Sequence, residues 1–252
     1  MSQQAWNGDV AIRFDVLGGG RPLVLLHGYS LDSRTWQNMG YVEPLVEAGC
    51  RLILIDIRGH GASGKPHDPG AYTEEAQAGD VAAVLDVLGV EQADLMGYSR
   101  GGRMALDFAR LFPERADRLV IGGAHPFVQD LSLFRAAVAE GIEGWIDVIE
   151  RMGGPLPAAL RSRIAANDID ALRAAVAVDR PDVSSAFQRF SEPCLFFAGT
   201  DDPLHPQIER AAGLMPHGRM EEIRGCNHIT ALQRADLVLP PVLRFLAEGG
   251  RP

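Results

Sequence analysis

The sequence is poor in cysteine and has no long apolar run. Its three cysteines, Cys50, Cys194 and Cys226, are far apart and odd in number, so a disulfide framework is not expected. No CxxC pair indicates a metal site. No apolar run approaches the roughly 18 to 20 residues that span a bilayer, and the N-terminus lacks the pattern of a signal peptide. These absences predict a cytoplasmic protein with no metal site.

The charge balance is acidic, which disfavours two classes of partner. The 252 residues carry a formal net charge of −9 at pH 7, without a long run of one sign. Nucleic acids and anionic membranes attract basic surfaces, so neither is expected as a partner. Lys65 is the only lysine among many arginines, and with abundant alanine and glycine this composition favours a bacterial source. Nothing in the sequence indicates an oligomeric state.

Apolar runs alternate with helix-like stretches along most of the chain. Residues 73–88, 101–112 and 231–246 carry apolar side chains at helical spacing, and Asn7-Gly8 is a hairpin-turn signal near the N-terminus. Strands alternating with helices predict an α/β fold whose mostly parallel sheet has helices on both faces. The predicted buried strands are residues 23–26, 51–57, 93–96, 119–121 and 194–197.

The alternation of strands and helices breaks once. Residues 127–190 contain no convincing strand and have a helical pattern interrupted by glycine and proline. We expect this segment to form a small helical cap, or lid, over the edge of the sheet. The α/β core is then made of residues 1–126 and 191–252, a length that suits one large domain.

The strongest local motif is GYSRG at residues 97–101, which matches G-x-S-x-G. It follows an apolar run and precedes a helix-like stretch, so a strand turns sharply into a helix and exposes the Ser99 hydroxyl. Gly97 and Gly101 lack the Cβ atoms that would collide in so tight a turn. The motif predicts Ser99 as a nucleophile; the alternative is an ordinary glycine-rich turn.

A serine hydroxyl needs a base to take its proton and a carboxylate to orient that base. His228 follows a late strand and precedes the last helix, so it is the predicted base; its alternative is a capping or buried structural role. Asp201 and Asp202 are adjacent in a turn, and the pattern alone leaves both open as the acid or as turn-forming residues. Less suitable as the base are His60, His67, His205 and His217, which fall in loops or turns.

Attack on a carbonyl creates an oxyanion, which needs hydrogen-bond donors already in place. The backbone N–H of Arg100, at the start of a helix, and the backbone N–H of Tyr29, in the loop after an early strand, are the predicted donors. The Arg100 side chain is expected to extend to solvent or to a carboxylate. Candidate substrate-pocket residues, for which core packing is an equal alternative, are Tyr29, Trp36, Tyr98, His125, Phe127 and Trp145.

Together these motifs resemble the α/β-hydrolase superfamily over almost the whole chain. Residues 56–63 are similar to its D-x-R-G-x-G-x-S loop, and residues 199–203 are similar to its G-x-x-D-P acid turn. The resemblance implies an eight-stranded, mostly parallel sheet with a cap between strands six and seven, and it implies Asp202 as the acid. A serine at residue 99 separates the chain from the dehalogenase and epoxide hydrolase branches, whose nucleophile is aspartate.

Within the superfamily the chain looks most like small esterases, lactonases and enol-lactone hydrolases. The expected activity is cleavage of a small-molecule carboxylic ester through a Ser-His-Asp triad and an acyl-enzyme, with no cofactor. A lactone or enol-lactone is an alternative substrate for the same triad. A ligand receptor built on a hydrolase is an alternative of another class. Carbon–carbon hydrolysis and peroxide-dependent reactions are further chemistries of this scaffold.

Overall fold

A computed structural model of the protein describes residues 3–248. Its strands form one eight-stranded sheet in the order β1-β2-β4-β3-β5-β6-β7-β8, in which β2 runs antiparallel to both of its neighbours, β1 and β4, and the other neighbouring strands pair in parallel. The mostly parallel eight-stranded sheet is therefore confirmed. The strands are β1 (Gln3–Asn7), β2 (Val10–Gly18), β3 (Arg21–Leu26), β4 (Cys50–Ile55), β5 (Ala93–Tyr98), β6 (Ala116–Gly122), β7 (Cys194–Gly199) and β8 (Gly218–Ile223).

Helices cover both faces of this sheet. On one face α3, α4 and α9 share an apolar cluster with the strands, and on the other face α1, α2, α10 and α11 do so. Short 3-10 helices occupy Pro69–Tyr72 and Ser184–Arg189. The α-helices are α1 (Arg34–Asn38), α2 (Val42–Glu47), α3 (Glu74–Val87), α4 (Arg100–Leu111), α5 (Ser132–Ala139), α6 (Gly141–Gly153), α7 (Ala158–Ala165), α8 (Ile169–Ala175), α9 (His205–Leu214), α10 (Thr230–Gln233) and α11 (Ala235–Ala247).

Strand β3 shows why the central strands are continuously apolar. Successive side chains of a strand point to opposite faces of the sheet. Val24 and Leu26 pack in the cluster on one face, while Leu23 and Leu25 pack in the cluster on the other, and all four are fully buried. A strand covered on both faces needs an apolar residue at every position.

Two predicted elements differ from the structure. The N-terminal hairpin exists, but Asn7 pairs with Val10, so its two-residue loop is Gly8-Asp9 and not Asn7-Gly8. The single last helix predicted over residues 231–246 is wrong. Arg234 has φ −97° and ψ 58°, outside the helical region, and divides this stretch into α10 and α11.

Between β6 and β7 lies a helical insert (residues 127–190) that contains α5, α6, α7 and α8. Its helices share an apolar cluster that also includes Tyr29 and Tyr72 from outside the insert. An isolated bridge between Gln129 and Arg180 joins its two ends. The insert therefore packs on the core close to the loop that follows β3. No helix within residues 3–248 is long and apolar enough to cross a membrane.

Candidate active site

Ser99 lies in the sharp turn between β5 and α4. Its φ of 54° and ψ of −114° are a strained conformation for a residue other than glycine. A Cβ atom on Gly97 would lie 2.2 Å from the Gly101 carbonyl oxygen, and one on Gly101 would lie 2.0 Å from the Leu26 carbonyl oxygen. The two glycines of the motif therefore allow β5, α4 and the end of β3 to approach so closely, and this packing holds Ser99 in place.

The structure brings Ser99, His228 and Asp202 into one hydrogen-bonded chain. The Ser99 Oγ lies 3.0 Å from His228 Nε2, and His228 Nδ1 lies 2.8 Å from Asp202 Oδ2. Because an ionised carboxylate only accepts hydrogen bonds, Nδ1 carries the donated proton and Nε2 is left to accept from the serine hydroxyl. The arrangement can therefore remove a proton from Ser99.

Local contacts hold the acid and the base of this chain. The Asp202 side chain is fully buried, and its Oδ1 accepts a hydrogen bond of 2.9 Å from the Leu204 N–H. The Tyr98 hydroxyl donates to the backbone carbonyl of His228 over 2.6 Å. By contrast, the neighbouring Asp201 is exposed, and within residues 3–248 its carboxylate meets only the Thr200 hydroxyl, at 3.4 Å. Of the two adjacent aspartates, Asp202 is the one that contacts His228.

The two predicted oxyanion donors lie beside Ser99. A Cβ atom on Gly28 would lie 3.7 Å from the Ser99 Cβ, so the loop that carries Tyr29 passes next to the serine. Arg100 is the first residue of α4, where the helix dipole is positive. Among residues 3–248, neither the Tyr29 N–H nor the Arg100 N–H has a hydrogen-bond acceptor. Both are available to an oxygen bound next to Ser99.

His27 fixes the backbone of that loop. Its Nε2 accepts a hydrogen bond of 3.1 Å from the Ile57 N–H, so Nδ1 carries the proton and donates to the Gly28 carbonyl over 2.8 Å. Complete burial lowers the pKa of His27, which keeps the ring neutral and preserves this pattern. The imidazole thus connects the loop after β3 to the loop after β4.

The Arg100 side chain does not extend to solvent or to a carboxylate, so that expectation was wrong. It is buried and donates to the Ala175 carbonyl over 2.8 Å and to Gln77 Oε1 over 2.7 Å. The guanidinium also lies 5.9 Å from the ring centre of Tyr72. Burial lowers the pKa of Arg100. The physical reason is that the insert covers this side of α4, so the guanidinium donates to the Ala175 carbonyl and not to solvent.

A cavity of about 420 Å³ opens next to Ser99 between the core and the insert. Among the predicted pocket residues, Tyr29, Tyr98, His125 and Trp145 line it together with Ser99, Asp202 and His228. The remaining lining side chains are predominantly aliphatic or aromatic. They include Leu31, Met39, Val128, Leu133, Phe134, Val148, Ile149, Met152, Leu156, Leu160, Ile164, Leu204, Ile229 and Leu232.

Trp36 and Phe127 do not line this cavity, so those two predictions were wrong. Trp36 is fully buried, with its ring centre 5.2 Å from that of Tyr41 in the cluster under α2 and α11. Phe127 packs in the cluster on the opposite face of the sheet, and Arg210 covers its ring. Both were predicted as pocket residues because they are aromatic, but aromatic side chains also pack in protein cores, as these two do.

Sequence reasoning missed most of the insert's contribution to the cavity. Trp145, Val148, Ile149 and Met152 all line it from α6, and they recur at i, i+3, i+4 and i+7. That spacing marks one apolar face of a helix. The signal is present in the sequence, but it does not say whether the face covers a core or a cavity.

His125 contributes a neutral polar group to the cavity wall. The side chain is buried, and its Nδ1 has no hydrogen-bond partner among the described residues. Burial, together with the nearby positive charges of Arg103 and Arg180, lowers the pKa of His125 to about 4. The imidazole is therefore uncharged at neutral pH. Within residues 3–248, no group of three or more His, Cys, Asp or Glu side chains is arranged to hold a metal ion.

Known proteins resemble this chain in sequence and in fold. A family model described as alpha/beta hydrolase fold matches residues 21–150. A putative 2-succinyl-6-hydroxy-2,4-cyclohexadiene-1-carboxylate synthase from Bacillus subtilis (strain 168) is 25% identical over 249 residues, covering 89% of each chain. An esterase from Rhodococcus sp. ECU1013 is similar in structure, with a TM-score of 0.83, 26% identity and 99% coverage of each chain. The enol-lactonase from Burkholderia xenovorans LB400 has a TM-score of 0.86 at 23% identity, covering 98% of this chain and all of that one.

The chain belongs to the alpha/beta hydrolase fold family and is a hydrolase of that family. The resemblance deduced from its sequence motifs is confirmed.

Proposed function

We propose that the protein is a serine hydrolase that cleaves carboxylic esters through a covalent acyl-enzyme. The observation that carries this proposal is the continuous chain from Ser99 Oγ through His228 to the buried Asp202, at 3.0 and 2.8 Å, on the wall of an apolar cavity. A nucleophile, a base and an orienting carboxylate in hydrogen-bond contact are what acyl transfer requires.

In the first half of the reaction, His228 takes the proton of Ser99 as Oγ bonds to the ester carbonyl carbon. The N–H groups of Tyr29 and Arg100 donate to the resulting oxyanion. The tetrahedral adduct then breaks its bond to the leaving alcohol, which receives the proton from His228. Asp202 keeps the imidazole in the correct tautomer and stabilises its charged form.

In the second half, His228 takes a proton from a water molecule that attacks the acyl carbon. The acid leaves, and the proton returns to Ser99 Oγ, so no cofactor enters this scheme. The helical insert acts as a cap that shields the acyl group from bulk water. A lactone is an internal ester, so the same attack opens its ring, and the alcohol stays attached to the product.

The cavity favours a small substrate with an apolar acyl group. Its volume of about 420 Å³ lies within the range of small-molecule sites, and most of its lining is aliphatic or aromatic. Burial of apolar area contributes about 25 cal/mol per Å² to binding, so an aliphatic chain is held well there.

The test is hydrolysis of a panel of linear p-nitrophenyl esters and γ- and δ-lactones by the wild type and by Ser99→Ala. We expect wild-type turnover of at least one series. In the variant, loss of the nucleophile lowers kcat by about 10⁴-fold or more while the melting temperature stays unchanged. Turnover by Ser99→Ala at the wild-type rate would contradict the proposal. The ratio of ester to lactone turnover assigns the substrate series.

A further inference from the structure

Helix α8 of the insert ends next to the proposed oxyanion hole. The last four carbonyls of any helix lack partners within the helix and need other donors. In α8 the carbonyls of Arg173 and Ala174 accept from the backbone N–H groups of Val176 and Ala177, each at 3.3 Å. The carbonyls of Leu172 and Ala175 accept from side chains instead.

Those two side chains belong to Tyr29 and Arg100. The Tyr29 hydroxyl donates to the Leu172 carbonyl over 2.9 Å, and Arg100 Nη1 donates to the Ala175 carbonyl over 2.8 Å. These are the same two residues whose backbone N–H groups lie beside Ser99. The carbonyl end of α8 therefore holds both halves of the proposed oxyanion hole from the insert side.

Burial of the Arg100 guanidinium lowers the stability of the folded protein, so stability alone does not explain why the side chain is buried. The side chain makes no ion pair with a carboxylate within the described chain, and its Nε has no hydrogen-bond partner there. Removing a charge from water is energetically costly when no opposite charge compensates for the lost hydration. The negative end of the α8 dipole, the Gln77 amide oxygen and the Tyr72 ring offset part of that cost.

The other end of α8 is held differently. The Asp168 carboxylate accepts from the N–H groups of Asp170 and Ala171 as an N-cap, and His67 Nε2 lies 3.0 Å from the same carboxylate. His67 is exposed and does not line the cavity beside Ser99. The two ends of α8 are therefore held by separate contacts, and those at the C-terminal end involve the predicted oxyanion donors.

We propose that the C-terminal end of α8 positions the oxyanion hole through the side chains of Tyr29 and Arg100, which makes both of them positioning residues as well as backbone donors. This inference rests on the proposed function. It couples docking of the insert to stabilisation of the transition state, because displacement of α8 releases both donors at once. A displacement of about 1 Å in a catalytic group can cost about 100-fold in rate.

The experiment compares Tyr29→Phe, Arg100→Met and Arg100→Lys with the wild type, using the best ester of the panel. Tyr29→Phe and Arg100→Met keep the backbone N–H and remove the contact with α8. Each is expected to lower kcat by about tenfold with KM within about twofold. Affinity for a trifluoromethyl ketone, which forms a tetrahedral adduct on Ser99, should fall by the same factor as kcat. Arg100→Lys should restore part of the loss.

His67→Ala is the matched control, because it removes a contact at the opposite end of the same helix. We expect its kcat and its affinity for the ketone to equal those of the wild type.

Three results would overturn the inference: unchanged kcat in both Tyr29→Phe and Arg100→Met, a loss of kcat without a parallel loss of ketone affinity, or an equal loss in His67→Ala. If Arg100→Met does not fold, Tyr29→Phe decides by itself. A wild type that hydrolyses no ester and forms no ketone adduct refutes the proposed function instead, so the two failures are distinguishable.

Discussion

Ser99 and Arg100 are adjacent in the chain, but their side chains serve different parts of the molecule. Ser99 Oγ contacts His228, whereas the Arg100 guanidinium contacts Gln77 on α3 and Ala175 on α8. Through these two residues, the turn between β5 and α4 contacts both the proposed base, His228, and the insert. Substitution of Ser99 removes the atom that bonds to the substrate. Substitution of Arg100 is expected to displace an oxyanion donor.

The two adjacent aspartates, Asp201 and Asp202, are expected to differ in their effect on kcat. Asp202→Asn removes the carboxylate that holds His228 in the tautomer able to accept the Ser99 proton. We expect kcat to fall by about 10⁴-fold, with KM little changed. Asp201→Asn, which alters an exposed side chain, is the matched control and should keep wild-type kcat. Steady-state kinetics of both variants measure this. Equal losses in the two, or none in Asp202→Asn, would refute the role proposed for Asp202.

Local sequence predicted some site residues better than others. Ser99 was predictable because Gly97 and Gly101, on either side of it in the motif, indicate the tight turn that exposes a nucleophilic serine. The spacing of residues alone left Asp201 and Asp202 open, since both fit a turn before proline; only the resemblance selected Asp202. The course of the Arg100 side chain was not predictable, because its acceptor at Ala175 comes close only after the insert packs on the core.

The elements around the elbow depend on close backbone approach. The position of a Cβ on Gly101 lies 2.0 Å from the Leu26 carbonyl oxygen, so α4 packs directly on the end of β3. The oxygen belongs to the main chain of a central strand and cannot move aside as a flexible side chain would. The distance between α4 and β3 in turn sets how near the loop carrying Tyr29 is to Ser99.

Gly101→Ala tests this packing at the scale of the element. We expect the free energy of unfolding to fall by about 3 kcal/mol, because the added methyl group forces α4 away from β3. Gly213→Ala on α9 is the control, since a Cβ there meets no atom within 4 Å. That change should raise stability by up to about 1 kcal/mol. Urea unfolding of both variants gives the values; a Gly101→Ala protein as stable as the wild type would contradict the expected clash.

Most secondary structure was predictable, because apolar runs and helical periodicity are local signals. The expected strand at residues 194–197 lies within β7, and the expected helix at residues 73–88 contains all of α3 (Glu74–Val87). The break at Arg234 was not predictable, since apolar residues continue at helical spacing across it. How the insert's helices enclose a cavity also depends on contacts between distant residues, which no local pattern encodes.

At the scale of the whole molecule, several buried histidines lie near the site as neutral groups. Burial lowers the pKa of His27, His60 and His125 below the ordinary value. Each of them takes up a proton more readily in the unfolded chain, so each favours unfolding as the pH falls. The hydrolase fold is therefore expected to tolerate mild acid poorly.

The contribution of His125 to the pH dependence of the free energy of unfolding can be measured. Its pKa is about 4 in the folded protein and about 6.5 in the unfolded chain, so between those values the unfolded state binds the extra proton. The free energy of unfolding should fall as the pH drops from 6.5 towards 4, with a slope from this group of up to about 1.4 kcal/mol per pH unit. His125→Phe removes that contribution, and urea unfolding across the range measures the difference. Parallel pH curves for the two proteins would contradict it.

Covalent labelling is a direct test of whether Ser99 is the nucleophile. The wild type and Ser99→Ala are treated with a fluorophosphonate, and the site of modification is identified by peptide mass spectrometry. We expect one adduct per wild-type chain, located on Ser99, and none on Ser99→Ala. An adduct on another residue, or equal labelling of both proteins, would contradict it.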